Sequence, residues 1–406
     1  MDANIANFSI PSAAAIAGLV PAIAAAQQQQ WSLAIQALQS LLAESSRDDW
    51  PALSESVLAI ALQVLRAGDF AQCWEAAKLL ARLGTQAIAP VAAAITDPEA
   101  TWETRWFAAR ILSEFDDPDA ILALAALLKD EDEELAEMAA QSLARIGPAS
   151  IPVLVLVLAE ESRRSLAVQV LGCLCHPDVI EPLLGVIADP SPTIRATAIA
   201  ALGSFRDCRI PPMLLSALND LAAAPRREAV IALGRRRDLL ADWNLVQALQ
   251  PRLHDIQLEI CQQAAVSLGR LGGDRAAEAL FSAFASAPER LQAAIVQALG
   301  WIETPQSLAY LGQLLLESQP AIAQEIIAVL GRQASPALKQ QAAEILGDFF
   351  PRAADTSARL RQEIATAWGQ LGGTTAIAFL EQLSSDPDLA VQWHARAALK
   401  KIIALV

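Results

Sequence analysis

One short pattern recurs along this chain at a near-constant interval, and it constrains the fold more than any other feature. A helical run ends in Ala-Leu-Gly or a close variant, at a position that we call a corner. Seven corners are glycines, and six of them form two sets with steps of 31 residues, Gly172, Gly203, Gly234 and Gly269, Gly300, Gly331. The other corners are Ala81, Ser113, Ala144, Gly369 and Lys400. Eleven corners at this spacing predict an internal repeat.

Residues 189–218 contain one complete repeat. Ile194, Ala198 and Leu202 recur at the spacing that places side chains on one face of a helix. Gly203 is expected to close this helix. Pro211 and its neighbour Pro212 then suit the first turn of a second helix, because proline has no amide hydrogen to lose there. The unit is therefore predicted to be a helical hairpin with one apolar side that only a neighbouring copy can bury.

Stacked hairpins also account for the length of the chain. A single core organises about 250 to 300 residues, and this chain has 406. A stack avoids that limit because each hairpin contacts only its neighbours. We predict an all-α fold, a right-handed α-solenoid of about eleven helical hairpins at 51–406, preceded by a helical cap at 1–50. Residues 3–10 are expected to be disordered.

Charge and composition exclude several classes of protein. The net charge of −15 argues against a nucleic-acid groove, which needs a basic field, and against binding to an anionic membrane surface. A membrane span at 10–26 is not expected because two prolines interrupt it. Cys173, Cys175 and His176 come nearest to a metal or persulfide site but lack the ligand spacing of zinc sites. Few cysteines and no signal peptide favour the reducing cytoplasm.

The repeats resemble the HEAT-like repeats of the phycobilisome lyase type. The resemblance is carried by IRATAIAALGSF at 194–205, REAVIALGRR at 227–236, QQAAVSLGRLGGDRAAEAL at 262–280 and QAAIVQALGWIETPQSLAYL at 292–311. It covers the chain from about Asp69 to the end and implies a cyanobacterial protein. None of the three histidines is followed by Glu, so the iron-binding His-Glu pairs of the hydroxylase branch are absent.

Two functions agree with this resemblance. The first is an adaptor without a cofactor that binds another protein on its concave face, in assembly or turnover of the phycobilisome or another photosynthetic complex. The alternative is a phycobilin lyase or bilin chaperone, which attaches an open-chain tetrapyrrole to phycobiliprotein cysteines. No catalytic constellation is present in the sequence, so enzymatic activity stays open, as does the oligomeric state.

Tryptophans supply the candidate binding residues. Trp74, Trp106 and Trp393 stand seven residues before a corner, a position expected to face solvent on the inner helices. Trp74 and Trp106 belong to adjacent repeats and are expected to flank a groove with Trp102 and Phe107. Exposed tryptophan is typical of binding hot spots. Two alternatives stay open: the N-terminal cap or a neighbouring helix covers the first pair, and Trp393 is an end cap or a homodimer contact.

Arginines form the second candidate set. The position eight residues before a corner is held by Arg105, Arg164, Arg195, Arg226 and Arg361. HEAT repeats typically pair this arginine with an acid six residues earlier, and that acid is Glu99, Asp189, Asp220 or Asp355 in four repeats. Leu158 breaks the pattern before Arg164, which is therefore predicted to be the freer arginine.

The binding residues taken from these arginines are Arg105, Arg164 and Arg227, the last from a basic band between 163 and 237. In the bilin alternative, the resemblance implies that Arg105 and Arg164 hold the propionates. Glu75 or Glu103 would then meet the pyrrole nitrogens. Five consecutive acids at 130–134 are either a solvated helix start or an acidic docking edge.

Overall fold

A computed structural model describes residues 13–44, 50–353 and 357–403. These ranges contain helices and turns and no strand, so the predicted all-α repeat fold is confirmed. The chain divides into two compact units, which we call unit 1 (1–201) and unit 2 (202–406). Within the described ranges, no helix is both long enough and apolar enough to cross a bilayer.

The helices of unit 1 are α1 (Ala13–Gln27), α2 (Trp31–Glu44), α3 (Trp50–Ala67), α4 (Phe70–Arg82), α5 (Ile88–Thr96), α6 (Trp102–Leu112), α7 (Pro118–Leu127), α8 (Glu133–Ile146), α9 (Ile151–Leu158), α10 (Arg164–Cys173), α11 (Ile180–Leu184) and α12 (Pro192–Leu202), which ends at the division. The helices of unit 2 are α13 (Ile210–Ala217), α14 (Ala223–Gly234), α15 (Leu245–Leu249), α16 (Leu258–Leu271), α17 (Asp274–Phe284), α18 (Glu289–Ile302), α19 (Pro305–Glu317), α20 (Pro320–Gly331), α21 (Pro336–Ala353), α22 (Ala358–Leu371), α23 (Gly373–Leu383) and α24 (Leu389–Ile403).

Each predicted corner lies at the end of an even-numbered helix. The corners from Ala81 to Lys400 fall in the last turn of α4 to α24 or directly after it, and we call these the corner helices. Pro211 and Pro212 lie in the first turn of α13, as predicted. An odd-numbered helix follows each corner from Ala81 to Gly369 and completes the hairpin, so the sequence repeat and the structural repeat coincide.

Within each unit, corner helices pack on corner helices and odd-numbered helices pack on odd-numbered helices. In unit 1, α4 packs on α6, α6 on α8 and α8 on α10, while α5 packs on α7 and α7 on α9. In unit 2, the corner helices from α14 to α24 contact one another in chain order, and α17, α19, α21 and α23 do the same. This nearest-neighbour packing is the defining property of a solenoid.

The core of each unit is built from the residue that precedes each corner. In nine of the repeats this residue is a leucine with no exposed surface, and in the α22 repeat it is the fully buried Trp368. Burying a leucine side chain stabilises the fold by roughly 1.5 to 3 kcal/mol, so each of these repeats gains a contribution of that size at this position.

The corner glycines have a different role from the one expected of Gly203. Gly203 follows the end of α12, but Gly269 and Gly300 lie inside their helices. A Cβ atom on Gly269 would stand 2.9 Å from the Cα of Ala298, and one on Gly300 would stand 2.3 Å from Val329 Cγ1. Both contacts reach the next corner helix. Glycine is therefore required because successive corner helices approach closely here, and helix termination is secondary.

The N-terminal helices α1 and α2 pack on each other, and α2 also packs on α4. These are the two helices that the sequence predicted for the cap. The expectation of disorder at 3–10 concerns residues that lie outside the described ranges.

We predict that Gly269→Ala destabilises the protein although alanine is the better helix former. Alanine gains about 1 kcal/mol of helix propensity, but its Cβ meets backbone atoms of Ala298 that cannot rotate away. Overpacking of this kind costs about 1 to 3 kcal/mol. The midpoint of thermal unfolding should fall.

Gly312→Ala is the matched control, because its new Cβ would meet only the side chain of Ile345, at 3.1 Å and beyond. That side chain can shift, so the control should lose less stability than Gly269→Ala. Equal or greater stability of Gly269→Ala relative to the wild-type protein would show that the helices do not depend on this contact.

Candidate functional site

Five aromatic rings meet on two neighbouring corner helices of unit 1. Phe70 stacks on Trp74 within α4, with ring centroids 6.3 Å apart, and Trp102 stacks on Trp106 within α6 at 6.4 Å. Phe70 and Trp106 join the two helices at 6.3 Å. Phe107 lies 5.1 Å from both Phe70 and Trp106. The rings therefore form one continuous cluster.

Local sequence explains the register of the cluster. Asp69 caps α4 by accepting a hydrogen bond from the backbone N–H of Gln72, and Thr101 caps α6 in the same way. Phe70 and Trp102 are thus the first residues of their helices, and Trp74 and Trp106 follow one turn later. The cluster is a two-by-two array built from equivalent positions of adjacent repeats.

The rings of the array are not all exposed, as lining a groove would require. Phe70 is 62% exposed and Trp102 37%, and Trp74 and Trp106 are half-buried. Phe107 was predicted to line the groove, but it is fully buried and forms the floor beneath the other rings. We call Phe70, Trp74, Trp102 and Trp106 the aromatic face.

Phe70 was missed by the sequence analysis. The available signal was its position four residues before Trp74, which places both rings on one side of α4. The alternative was that the N-terminal cap or a neighbouring helix covers Trp74 and Trp106. The cap helix α2 lies beside α4, where Gln39 donates to Glu75 at 3.0 Å and Gln72 donates to Ser32 at 3.0 Å, and both tryptophans stay half-buried. These contacts leave Phe70 and Trp102 exposed.

Acidic groups surround the aromatic face. A shallow depression beside Trp102 is lined by Asp132, Glu133 and Glu134, at the start of α8. Cys73 lies buried in α4, and its pKa is raised by burial first and then by the charges of Asp69 and Glu103. A thiol held neutral in this way is a poor nucleophile.

Two basic side chains, those of Arg110 and Lys78, also lie beside the aromatic face. The guanidinium carbon of Arg110 lies 4.6 Å above the ring of Trp74. Glu75, a candidate partner for pyrrole nitrogens, is bound by Lys78 at 2.6 Å and by Gln39, and the hydrogen bond from Lys78 is the main cause of its lowered pKa. Its carboxylate is therefore already engaged.

The candidate arginines pair with acids of the next repeat. Arg105 forms an ion pair with Asp130, and Arg164 with Asp189 at 2.7 Å. The prediction that Arg164 is the freer arginine is therefore wrong. It rested on Leu158 in place of an acid six residues earlier, whereas the carboxylate that binds each arginine belongs to the following repeat.

The arginines do contact the residue six positions earlier, but they bind its backbone carbonyl oxygen and not its side chain. Arg164 donates to the carbonyl oxygen of Leu158, and Arg226 to that of Asp220, both at 2.8 Å. Any residue offers this carbonyl, so Leu158 does not break the pattern. The predicted pairing of Glu99 with Arg105 gives way to Asp130, and Asp355 lies outside the described residues.

We call the ion pairs between an arginine and an aspartate of the next repeat the ladder. Each aspartate of the ladder accepts hydrogen bonds from an arginine on one side and from a backbone N–H on the other. Asp255 accepts two hydrogen bonds from Arg226, at 2.8 and 2.9 Å, and a third from the backbone N–H of Gln257. Asp386 is bound by Arg361 in the same manner. Burial alone would raise the pKa of Asp255, but the hydrogen bonds and charge of Arg226 outweigh it and hold this pKa below its ordinary value.

The remaining candidates do not join the aromatic cluster. Arg227 is held by Glu228 and Glu259, each at 2.9 Å. Trp393 is 69% exposed on α24. Among the described residues, no group of three His, Cys, Asp or Glu side chains is arranged to bind a metal ion.

Comparison with known proteins identifies the class to which this geometry belongs. Models of HEAT repeats match residues 58–144, 90–165, 152–220 and 210–299, a continuous stretch of more than half of the chain. The protein belongs to the HEAT-repeat family. No curated protein matches the sequence.

Solved structures and models agree on the fold. A homology model of the full-length AP-3 complex matches at a TM-score of 0.57 and 13% identity, over 96% of this chain and 80% of that chain. The Kap95:Nup1 complex matches at 0.56 and 16%, over 92% and 60%. The karyopherin Kap121p bound to the extreme C-terminus of the protein phosphatase Cdc14p matches at 0.52 and 14%, over 91% and 52%. The chain thus spans little more than half of each karyopherin.

We predict that Asp255→Asn lowers the free energy of unfolding by about 3 kcal/mol at pH 7, because it leaves the guanidinium of Arg226 buried without its counter-charge. The folded-state pKa of Asp255 is lowered, so the contribution of the pair is complete above the ordinary value of 3.8 and is lost as the pH falls through the folded-state pKa. The difference between wild type and variant should therefore shrink below pH 3.8 in urea denaturation.

Glu259→Gln serves as the control, because it removes the same charge from an exposed pair in the same repeat. Its cost should stay below about 1 kcal/mol. Equal costs for the two variants would contradict a special role for the inter-repeat pair.

Proposed function

We propose that the protein is a scaffold that binds another protein, and that the aromatic face is a docking surface. The observation that carries the proposal is the exposure of Phe70 and Trp102 above the buried ring of Phe107. Large exposed aromatic surface is costly in water, and tryptophan is the residue most enriched in binding hot spots. Capped helices hold the rings in place, so little side-chain entropy is lost on binding.

The surroundings of the aromatic face favour a partner segment with apolar and basic side chains. Unit 1 contains 11 Lys and Arg residues against 25 Asp and Glu, a net charge of −14. Glu133 and Glu134 are exposed beside Trp102. A basic side chain placed there gains both charge attraction and a cation–π contact with the indole. Within the acidic run at 130–134, Asp130 is held by Arg105, whereas the exposed Glu133 and Glu134 support the interpretation of an acidic docking edge.

Structural relatives support the class of function. Kap95 forms a complex with Nup1, and Kap121p binds the extreme C-terminus of Cdc14p. A fold similar to that of this chain thus binds other proteins in those complexes. All five cysteines of this chain are free thiols, which supports a cytoplasmic location.

The resemblance to repeats of the phycobilisome lyase type supports a narrower form of the proposal. In that form, the organism is a cyanobacterium and the partner is a phycobiliprotein or another component of a photosynthetic assembly. The acidic, aromatic surface described above is the part of the protein that would bind it.

The test is a comparison of bound proteins. Wild-type protein, a Phe70→Ser/Trp102→Ser variant and a Leu221→Ser/Ile256→Ser control would be used as bait in a lysate, with quantitative mass spectrometry of what each retains. Leu221 and Ile256 are 101% and 90% exposed on unit 2, so the control removes exposed apolar surface elsewhere. We expect proteins that wild type and control retain to be lost, by at least about tenfold, from the double variant. Identical retention by all three baits, at equal thermal stability, would refute docking on this face.

The stacked pair of Trp102 and Trp106 favours one alternative, the binding of a flat open-chain tetrapyrrole by a bilin lyase or bilin chaperone. The arginines named for its propionates already bind Asp130 and Asp189, so a bilin would have to displace an ion pair. We expect titration with free bilin, followed by visible absorbance, to show no saturable binding that depends on Trp106. Saturable binding that Trp106→Ala weakens would instead support the bilin alternative.

A further inference from the structure

A row of exposed side chains follows the corners of unit 2. From Gly234 onward, the residue directly after each corner is Arg235, Arg270, Trp301, Arg332, Gln370 or Lys401, whereas Ser204 follows Gly203, the first corner of this unit. All six are exposed, and Trp301 keeps 53% of its surface. We call Arg235, Arg270, Trp301, Arg332 and Lys401 the cationic row. It lies in a unit with nearly balanced charge, which contains 19 Lys and Arg residues against 20 Asp and Glu.

The spacing of the row follows from the close contacts at the corners. The Cβ positions of Gly269, Gly300 and Gly331 each point at the next corner helix within 3 Å. Successive corner helices of unit 2 are therefore in contact at the level of the row. Packed helices lie about 8 to 10 Å apart, so row members on successive corner helices are separated by about that distance. Arg332 and Lys401 are about two such steps apart, because Gln370 stands between them.

The equivalent positions of unit 1 show that such side chains can form ion pairs with one another. There, Glu114 and Arg145 follow successive corners, and their side chains form an ion pair at 2.6 Å. Residues after neighbouring corners are thus within reach of each other. In unit 2, the neighbours Arg235 and Arg270 have the same charge and repel each other instead of pairing.

The cations of the row find no ionic or hydrogen-bonding partner among the residues that the structure describes. Within the described residues, none of Arg235, Arg270, Arg332 and Lys401 forms an ion pair or a side-chain hydrogen bond. Other arginines of unit 2, such as Arg226, Arg236 and Arg361, are held by aspartates. A favourable interaction with the helix dipole accounts for a cation near a helix end, but not for Trp301 in the same row.

We propose that the cationic row binds an extended acidic polypeptide segment that crosses the corner helices of unit 2. A polyproline II segment rises about 3.1 Å per residue and has three residues per turn, so every third side chain returns to one face after about 9 Å. This repeat matches the helix spacing. The ligand therefore carries an acidic residue at every third position, with an apolar residue opposite Trp301. This surface is separate from the aromatic face and does not depend on its function.

Charge and spacing favour a polypeptide over a nucleic acid. The total charge of −15 repels a polyanion as a whole, whereas a short acidic segment meets only the local row. Phosphates along an extended single strand also follow one another more closely than the side chains of the row do.

The test uses two fluorescein-labelled peptides of equal composition. The first contains six Glu-Pro-Pro triplets, and the second has its six glutamates in one block followed by the prolines. Fluorescence anisotropy with the full-length protein should show binding of the spaced peptide in the micromolar range, at least about tenfold tighter than the block peptide, and weaker as salt is added. Equal affinity for the two peptides, or no binding of either, would overturn the proposal.

Variants locate the site. Arg235→Glu/Arg270→Glu/Arg332→Glu should weaken binding by at least about tenfold, whereas Arg290→Glu/Arg352→Glu/Arg359→Glu, which changes the net charge equally at exposed positions off the row, should change it less than about threefold. Similar losses in both would show a general charge effect and refute the row. If the first variant unfolds, Arg270→Gln and Trp301→Ala replace it, each with an expected loss of about threefold or more and no change in melting temperature.

Two further measurements separate this proposal from its alternatives. The Phe70→Ser/Trp102→Ser variant of unit 1 should bind the spaced peptide like wild type, and a loss there would assign the binding to the aromatic face. A single-stranded oligothymidylate that binds more tightly than the spaced peptide, and is lost in the row variant, would overturn the peptide ligand in favour of a nucleic acid.

Discussion

The close approach of successive corner helices is the constraint on which the rest of each unit depends. Glycine, alanine or serine stands wherever one corner helix meets the next, and a single added methyl group at Gly269 or Gly300 would collide with the neighbour. Because the contact recurs at Gly234, Gly269, Gly300, Gly331 and Gly369, it sets one spacing for side chains at equivalent positions of unit 2. Rows of side chains across the helices are therefore a direct product of small residues in the core.

A second, electrostatic constraint acts between repeats. Each ladder aspartate binds the arginine of the preceding repeat and a backbone N–H of its own turn, so that it joins two hairpins and shapes the link between them. These pairs also decide which cations are available for function. Arginines eight residues before a corner are committed to structure, whereas those directly after a corner in unit 2 remain open to solvent.

The two units present different chemistry on the same repeat. Unit 1 combines a high negative charge with aromatic rings at the starts of α4 and α6, and unit 2 has nearly balanced charge with a row of cations at the ends of its corner helices. The repeat thus supplies equivalent positions, and substitution at those positions supplies specificity. This separation of framework and surface explains why HEAT repeats keep one fold at 13 to 16% identity.

The sequence by itself determined the repeat, the helical hairpins and the all-α class, because helix periodicity and recurring corners are local properties of the chain. It also placed Trp74, Trp102 and Trp106 in register. Tertiary structure alone decided that Phe107 lies beneath these rings, that the ring of Phe70 meets the rings of α6 and that Arg164 binds Asp189. How deeply a side chain is buried and which partner it binds depend on the side chains that the neighbouring repeat places against it. Packing between helices decides this, and the spacing of residues along the chain does not record it.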